Sequence, residues 1–600
     1  MSRIRNVYLS AFSAIVLPFI ISAHAADTGG GQARRQQFAQ LLADEWDYEM
    51  RESPERATQV GDYRFNDRLS DISLVHVQQQ KKDQQAWLTR FEAVDTTGFT
   101  EQEKLSQTLM LRNLKEGIED IELKNYEMPV DQFNGLHIQL PQLVAVVPLT
   151  STKQYEDYIA RLHAIPRVVD QMIELMQQGV KDNLMPPKFL LEKTVGQCKS
   201  ISDSAGEANA FGQPAAHFPD AVPVADRKRL HDAILSAVDN QVRPAYVKLA
   251  KFIADDYVPH GRAEPGIWSL PEGDARYRFA IRHLTTTSMD PESIHQLGLS
   301  EVSRIEAEQV AIANRLGFSN LKDFRASMKA NPKLIPTSRE QILETFRQYI
   351  AQMQPELPKL FGLLPKTKVE VRPVQEFREK EAAFAEYNQG TPDGSRPGVV
   401  YVDTYDFQHR NLNSAEATAY HEGVPGHHMQ ISIAQTLPGL PPFRQQAFYS
   451  AYEEGWALYA ERLGKDIGFY QDPYSDYGRL SGEMLRAIRL VVDTGVHYKH
   501  WTRQQMVDFF HEHSSEDEPD VQAETDRYIA WPAQALGYKL GQLEILKLRE
   551  RAQKELGTRY DIRAFHDEIL NGGAMPLDVL DTRVTNWIAA QKASTSAEIH

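Results

Sequence analysis

The chain has 600 residues, 42% of them hydrophobic and 25% charged, which supports a large packed core and excludes a disordered or low-complexity protein. Lys and Arg total 66 against 82 Asp and Glu, a formal net charge of −16, and no Lys/Arg-rich block offsets it, so nucleic acid is excluded as a partner. The single cysteine, Cys198, excludes an intramolecular disulfide and a Cys-based structural zinc site, and reads as a small buried apolar residue.

At the amino terminus Arg3 and Arg5 precede an apolar run over 7–21 and an Ala23-His24-Ala25 cleavage pattern, the layout of a secretory signal peptide. The run is too short, and too interrupted by Ser10, Ser13 and Pro18, to span a membrane, and no later stretch approaches ~20 apolar residues. No cysteine follows it to accept a lipid. Residues 1–25 are therefore expected to be removed on export, leaving a periplasmic or secreted protein with no stable membrane insertion.

From residue 32 to about 360 the pattern is mostly helical. Residues 155–178 and 292–316 place apolar side chains three and four apart, with charges between them, over lengths beyond those of strands. Residues 202–225 are rich in Gly, Ala, Pro and Asp and carry no period, which predicts a long loop or a hinge. After Pro365 the texture changes. Residues 368–372 alternate, and 398–402 form a β-branched run bounded by Pro397 and Asp403, so a small antiparallel sheet is expected over 366–403. Its last strand, which carries Tyr401, is suited to pairing with an extended peptide at a sheet edge. Helices resume with Asn413 and Glu416 as an N-cap pair, then over 444–462, 482–496, 502–511 and 535–556. The fold class is mainly α with a minor β element.

The most unusual segment is His421-Glu422-Gly423-Val424-Pro425-Gly426-His427-His428. A zinc-binding helix uses His-Glu-x-x-His because positions i and i+4 lie ~40° apart on one face. Here position i+4 is Pro425. His427 falls ~120° around an ideal helix, while His428 faces correctly but sits ~10.5 Å along the axis. Nitrogens ~2.0–2.1 Å from one zinc cannot be so far apart, so a straight helix forbids the site. Pro425 cannot donate a backbone hydrogen bond and Gly426 tolerates unusual dihedrals, so a bulge is expected that loops out two residues and brings His427 into place, with Glu422 as general base. Downstream, Glu453, Glu454 and Glu461 lie in a helical pattern, and Glu454 and Glu461 share a face. A Glu from a second helix would complete two histidines and leave a fourth position for water. The alternative is a solvated acidic helix face, against which stand the neighbouring Tyr452, Trp456, Leu458 and Tyr459.

These two segments resemble the domain-of-unknown-function 885 family, whose signatures are H-E-G-x-P-G-H-H-x-Q and Y-x-E-G-W-A-x-Y-x-E. The match extends through residues 57–62, 489–497, 534–539 and 565–566, and implies one catalytic domain over 26–600 with its metal-binding helices at 413–464. The family is similar to the thermostable carboxypeptidases and thimet-type oligopeptidases, which implies a large two-lobed helical metallopeptidase with a deep cleft. The resemblance puts His421, His427 and Glu454 on a zinc ion; the two-residue insertion ending at Pro425 leaves His428 as the competing second ligand. It also implies that Tyr538 polarises the scissile carbonyl, with His497 as a further candidate.

Arg489 and Arg527 could hold a substrate carboxylate through a bidentate pair, or could be buried structural ion pairs. The expected function is an exported zinc peptidase of short peptides, acting as a carboxypeptidase, dipeptidase or dipeptidyl-carboxypeptidase. Glu422 would take a proton from the metal-activated water and pass it to the leaving amine. The competing functions are a zinc hydrolase of non-peptide amides or esters, and an inactive peptide-binding protein, which an intact Glu422 disfavours. Intact-mass measurement on protein recovered from its native host should give an amino terminus at Ala26; a full-length cytoplasmic product would refute export.

Overall fold

The structure is a computed structural model that describes residues 29–375, 379, 383–391, 394 and 396–594; the leader at 1–25 lies outside the described residues. Helices carry most of the chain, and their ends follow local chemistry. Thr100 and Glu103 form a reciprocal capping box at the Glu101–Glu122 helix, satisfying two backbone donors that a helix start leaves orphaned. The Thr152–Asp182 helix begins with the Ser151 hydroxyl accepting from the Gln154 amide and ends at Asn183 in the left-handed region, φ 57°. Its Tyr158, Leu162, Val169 and Met176 face one apolar cluster with the Lys188–Asp203 helix and the segments that follow.

Residues 202–225, expected as a loop or hinge, are a loop packed into that core. Phe211, Ala215 and Val222 are buried, and the Tyr158 hydroxyl donates to the Phe211 carbonyl at 2.7 Å. Their turns close through the Asn209 side-chain amide, which donates to the Ile201 and Ser204 carbonyls. A segment without period can still pack into a core when its few apolar residues are buried and its backbone polar groups are paired. Cys198 is buried as expected.

The sheet is present but its topology differs from the expectation. Strands β1 (Val369–Pro373), β2 (Ala385–Asn388) and β3 (Gly398–Val402) are ordered β1-β3-β2. β3 runs parallel to β1 and antiparallel to β2, so the sheet is mixed. β3 is its central strand, paired on both sides, with Tyr401 between Arg372 and Glu386. A peptide therefore cannot add to β3, because its backbone donors and acceptors face the two neighbouring strands.

The carboxy-terminal half is built on close helix contacts. Gly298 of the Pro291–Arg315 helix lies against Leu490 and Val491 of the Pro473–His497 helix. Lys539, fully buried, joins Glu483 at 2.6 Å and Glu301 at 3.0 Å, so three helices meet around one paired charge. The Ser450–Asp466 and Leu536–Leu556 helices approach through Gly455 and Gly541. A Cβ on Gly541 would stand 1.8 Å from the Ala451 carbonyl oxygen, a contact that only moving the helices apart could relieve. No helix among the described residues is long and apolar enough to cross a membrane.

Gly541→Ala should therefore destabilise the protein by ~1–3 kcal/mol, the usual range for overpacking a core. Gly196→Ala, at an exposed helical position with open space beyond its Cα, should be neutral or stabilising by up to ~1 kcal/mol. Urea unfolding of the two variants checks the pair; equal midpoints would show that the Gly541 contact is not close.

Candidate metal centre

The Ala415–Glu422 helix carries His421 and Glu422 as its last two residues. The chain then turns through 423–426 and starts a second helix, His427–Thr436, at His427. The expected bulge is thus a full break. Pro425 has no amide hydrogen to continue the ladder to His421, and the Gly426 amide instead reaches back to the Tyr420 carbonyl at 2.9 Å. A side chain at Gly426 would collide with the backbone it folds over, since a Cβ there would stand 1.9 Å from the His421 carbonyl oxygen and 2.4 Å from that of Tyr420. The Trp456 indole N–H donates to the Pro425 carbonyl at 2.9 Å, which fastens the turn to the Ser450–Asp466 helix. Glu416 does not cap with Asn413. Its carboxylate points inward and accepts from the Ser475 hydroxyl at 2.5 Å, the Tyr470 amide at 3.1 Å and the Tyr420 hydroxyl at 3.1 Å.

The break brings His421, His427 and Glu454 together, with one candidate ligand atom from each within 4.8 Å of the others. The Nε2 atoms of both histidines lie 3.5 Å from the same Glu454 Oε2. Two ligands ~2.0–2.1 Å from one zinc at the tetrahedral angle stand ~3.3 Å apart, so the three side chains could hold one such ion. On its other nitrogen His421 meets Glu461, with Nδ1 at 2.8 Å from Oε1. A carboxylate behind a histidine in this way fixes the ring and directs the lone pair of Nε2 forward.

The electrostatics follow from burial and proximity. Burial opposes charge on His421, but its contacts with Glu454 and Glu461 and the nearby Glu422 outweigh that and raise its pKa to about 10. Glu454 is pushed up by burial, yet the two histidines hold it well below the usual carboxylate range. Burial raises Glu422, with His421 and His427 pulling in the opposite direction. Glu453 is raised well above its ordinary value by burial and by Glu454. Glu453 and Glu461 are buried and Glu454 nearly so, so the solvated acidic face does not exist.

His428 is held elsewhere. Its Nε2 donates to the Thr367 carbonyl at 3.1 Å and its Nδ1 accepts from the Tyr387 hydroxyl at 3.0 Å. Burial lowers its pKa to about 4, so it is a neutral link between the second helix and the sheet. His497 is likewise committed. Its Nδ1 accepts from the Ile267 amide at 3.1 Å and its Nε2 donates to the Tyr528 carbonyl at 2.9 Å. With both ring nitrogens on backbone partners, and burial lowering its pKa to about 3, His497 has no site left for a substrate.

Tyr538 is half-buried, with the Arg489 guanidinium 4.4 Å and the Arg486 guanidinium 5.8 Å from its ring centre. Arg489 donates to the Tyr528 hydroxyl at 2.8 Å and to Glu524 at 2.9 Å, while its buried Nη1 has no partner. Arg527 pairs with Glu524 at 3.2 Å and donates to Gln534 at 2.7 Å, so it buttresses the carboxylate that Arg489 uses. Arg486 was not singled out from the sequence. It sits near enough to influence Glu422, and its position three residues before Arg489 on one helix face was the available signal.

Fold and site together define a mainly helical protein with a buried two-histidine, one-glutamate cluster at a break between helices. The chain belongs to the family of bacterial proteins of unknown function designated DUF885, whose profile matches residues 54–584. It is similar over 93% of its length to the whole of a solved structure described as "the putative lipoprotein from Colwellia psychrerythraea", with 30% identity and a TM-score of 0.87. A second, "a putative lipoprotein of unknown function from Shewanella oneidensis", aligns over 91% of this chain and 99% of its own, with a TM-score of 0.71. At 18% identity that likeness is one of fold. No curated protein matches the chain.

Proposed function

We propose that the protein is an exported zinc-dependent peptidase that hydrolyses short peptides close to a free carboxy terminus. The observation that carries this is the convergence of His421 Nε2 and His427 Nε2 on one oxygen of Glu454, 3.5 Å from each, with Glu422 beside them. This donor set suits zinc with a fourth position open, and Glu461 supplies the support behind His421. A zinc ion held there supplies Lewis acidity toward an amide carbonyl and acidifies the adjacent water.

Glu422 accepts the proton of the attacking water and passes it to the leaving amine; a carboxylate made more basic by burial is suited to that transfer. The Tyr538 hydroxyl, on a ring held by Arg489 and Arg486, donates to the carbonyl oxygen as it gains charge. The unpartnered Nη1 of Arg489 receives a terminal carboxylate through a charge-assisted hydrogen bond. The resemblance of both motifs to the thermostable carboxypeptidases and thimet-type oligopeptidases, with their two lobes and deep cleft, supports the same activity. Export is supported by the leader pattern at 1–25 and by the lipoprotein descriptions of the two solved relatives.

Equilibrium dialysis against zinc should give one ion per chain. His427→Ala and Glu454→Ala should each lose it, while His428→Ala keeps it; the reverse assignment of the two histidines would refute this ligand set. Glu422→Gln should retain zinc and fold but lower kcat ~10²–10⁴-fold on short peptides. Near-normal turnover in that variant would remove Glu422 as the base, and equal cleavage of free and C-terminally amidated peptides would remove the role given to Arg489.

A further inference from the structure

A cavity of about 800 Å³ lies between the amino-terminal helices and the start of the Ser450–Asp466 helix, within the usual size of ligand sites. The Gly29–Glu52 helix lines it with Glu45, Glu49 and Glu52, spaced so that one helix face presents all three. Glu116 enters from the Glu101–Glu122 helix.

Three of the four carboxylates are paired: Glu49 with Arg56 at 3.1 Å, Glu52 with His76 at 3.1 Å, and Glu116 with Arg112 and His283 at 2.8 Å each. Glu45 is the exception. It is 8% exposed, and its Oε2 is buried without a hydrogen-bond partner. An independent orphan lines the same space from another element, because Ser450, 7% exposed, has a buried hydroxyl without a partner.

A buried carboxylate oxygen and a buried hydroxyl left unsatisfied cost about 1–3 kcal/mol each, a cost that a bound hydrogen-bond donor would remove. Four carboxylates against the single guanidinium of Arg56 make the lining rich in acceptors, and the aromatic rings of Tyr48, Trp87 and Trp531 also line the cavity, a combination suited to a cation. Burial and the neighbouring Glu49 push the Glu45 carboxyl up to about 8, with Arg56 opposing them only in part. One lining residue belongs to the helix that carries Glu454. Ser450 stands four residues before Glu454 on one helix, ~6 Å along its axis, and Gln534, another lining residue, stands four before Tyr538.

We propose that this cavity is a subsite for the ammonium or guanidinium group of a basic peptide residue, with Glu45 and Ser450 as its acceptors. As a statement about peptides it rests on the peptidase assignment, whereas binding of the cation does not.

Calorimetric titration separates the two, using Nα-acetyl-lysine amide and its uncharged counterpart Nα-acetyl-norleucine amide as probes. The protein should bind the lysine probe at least 10-fold more tightly. Glu45→Gln should abolish that preference while unfolding at the same or a higher temperature, since it removes an unpaired buried acid, and Glu422→Gln should bind both probes as the parent does. No preference in the parent protein, or a preference unchanged in Glu45→Gln, would overturn the subsite; should Glu45→Gln not fold, the parent's ratio for the two probes decides. Cleavage of lysine- and norleucine-containing peptides completes the test. Preferential lysine binding without cleavage of any peptide would leave the subsite standing and defeat the peptidase assignment, while cleavage with equal binding of both probes would do the opposite.

Discussion

Two imidazoles six residues apart meet one carboxylate oxygen only where the helix between them is interrupted, and the rest of the site depends on how that interruption is held. In a continuous helix His427 would point ~120° away from His421. Pro425 removes one ladder donor, and Gly426 lets the turn fold over the carbonyls of Tyr420 and His421 with no side chain in the way. Neither residue dictates which alternative path the chain takes. The Trp456 indole does so by engaging the Pro425 carbonyl, and Trp456 is two residues from Glu454, so the helix that offers the carboxylate also positions the turn that offers the second histidine. The Gly455–Gly541 contact sets the depth of that helix, and with it the height of Glu454 beneath both rings.

Concentrating Glu422, Glu453, Glu454 and Glu461 around two histidines is electrostatically costly, and the structure offsets it unevenly. Glu461 and Glu454 have His421 between them. Glu453 has a neighbouring acid that raises its pKa further and a backbone hydrogen bond at Tyr449 that only partly opposes it. At Glu483 buried charge is matched: it meets Lys539, Arg304 and Arg479, and its pKa falls to about 2 because these cations outweigh burial. The contrast distinguishes charge that holds helices together from charge that its neighbours match only in part. Atoms of His427 and Arg489, and of Glu45 and Ser450 in the cavity, are among the buried polar atoms without a hydrogen-bond partner.

His427 and His428 are adjacent and identical in type, yet their surroundings assign them opposite roles. His428 is taken up by Thr367 and Tyr387, and Gly398 at the start of β3 leaves the room for it, since a Cβ there would stand 2.7 Å from His428 Nδ1. The small sheet therefore holds His428 through Tyr387 of β2, apart from the contacts that His421 and His427 make with Glu454. Its mixed topology follows from β3 inserting between β1 and β2, which gives the strand nearest the site two covalently connected neighbours and no open side.

The sequence by itself determined the helical character of the chain, the place where a helix had to fail, and the residue types able to hold a metal. Those properties reside in local spacing: apolar residues three and four apart, a proline without an amide hydrogen, and a glutamate pair seven residues apart. The choice of His427 over His428, the inward turn of Glu416, the burial of Glu453 and the commitment of His497 to Ile267 and Tyr528 were not legible there. In each case a polar side chain had several chemically equivalent partners available, and only the packing of segments tens to hundreds of residues away decided which partner was within reach. Strand direction and order were open for the same reason, because alternation reveals that a strand exists but carries no information about its neighbours. Arg486 and the Glu45 cavity lie at the far end of that range, since their surroundings are assembled from helices that share no motif, and an orphaned buried atom can be recognised only once everything around it has a position.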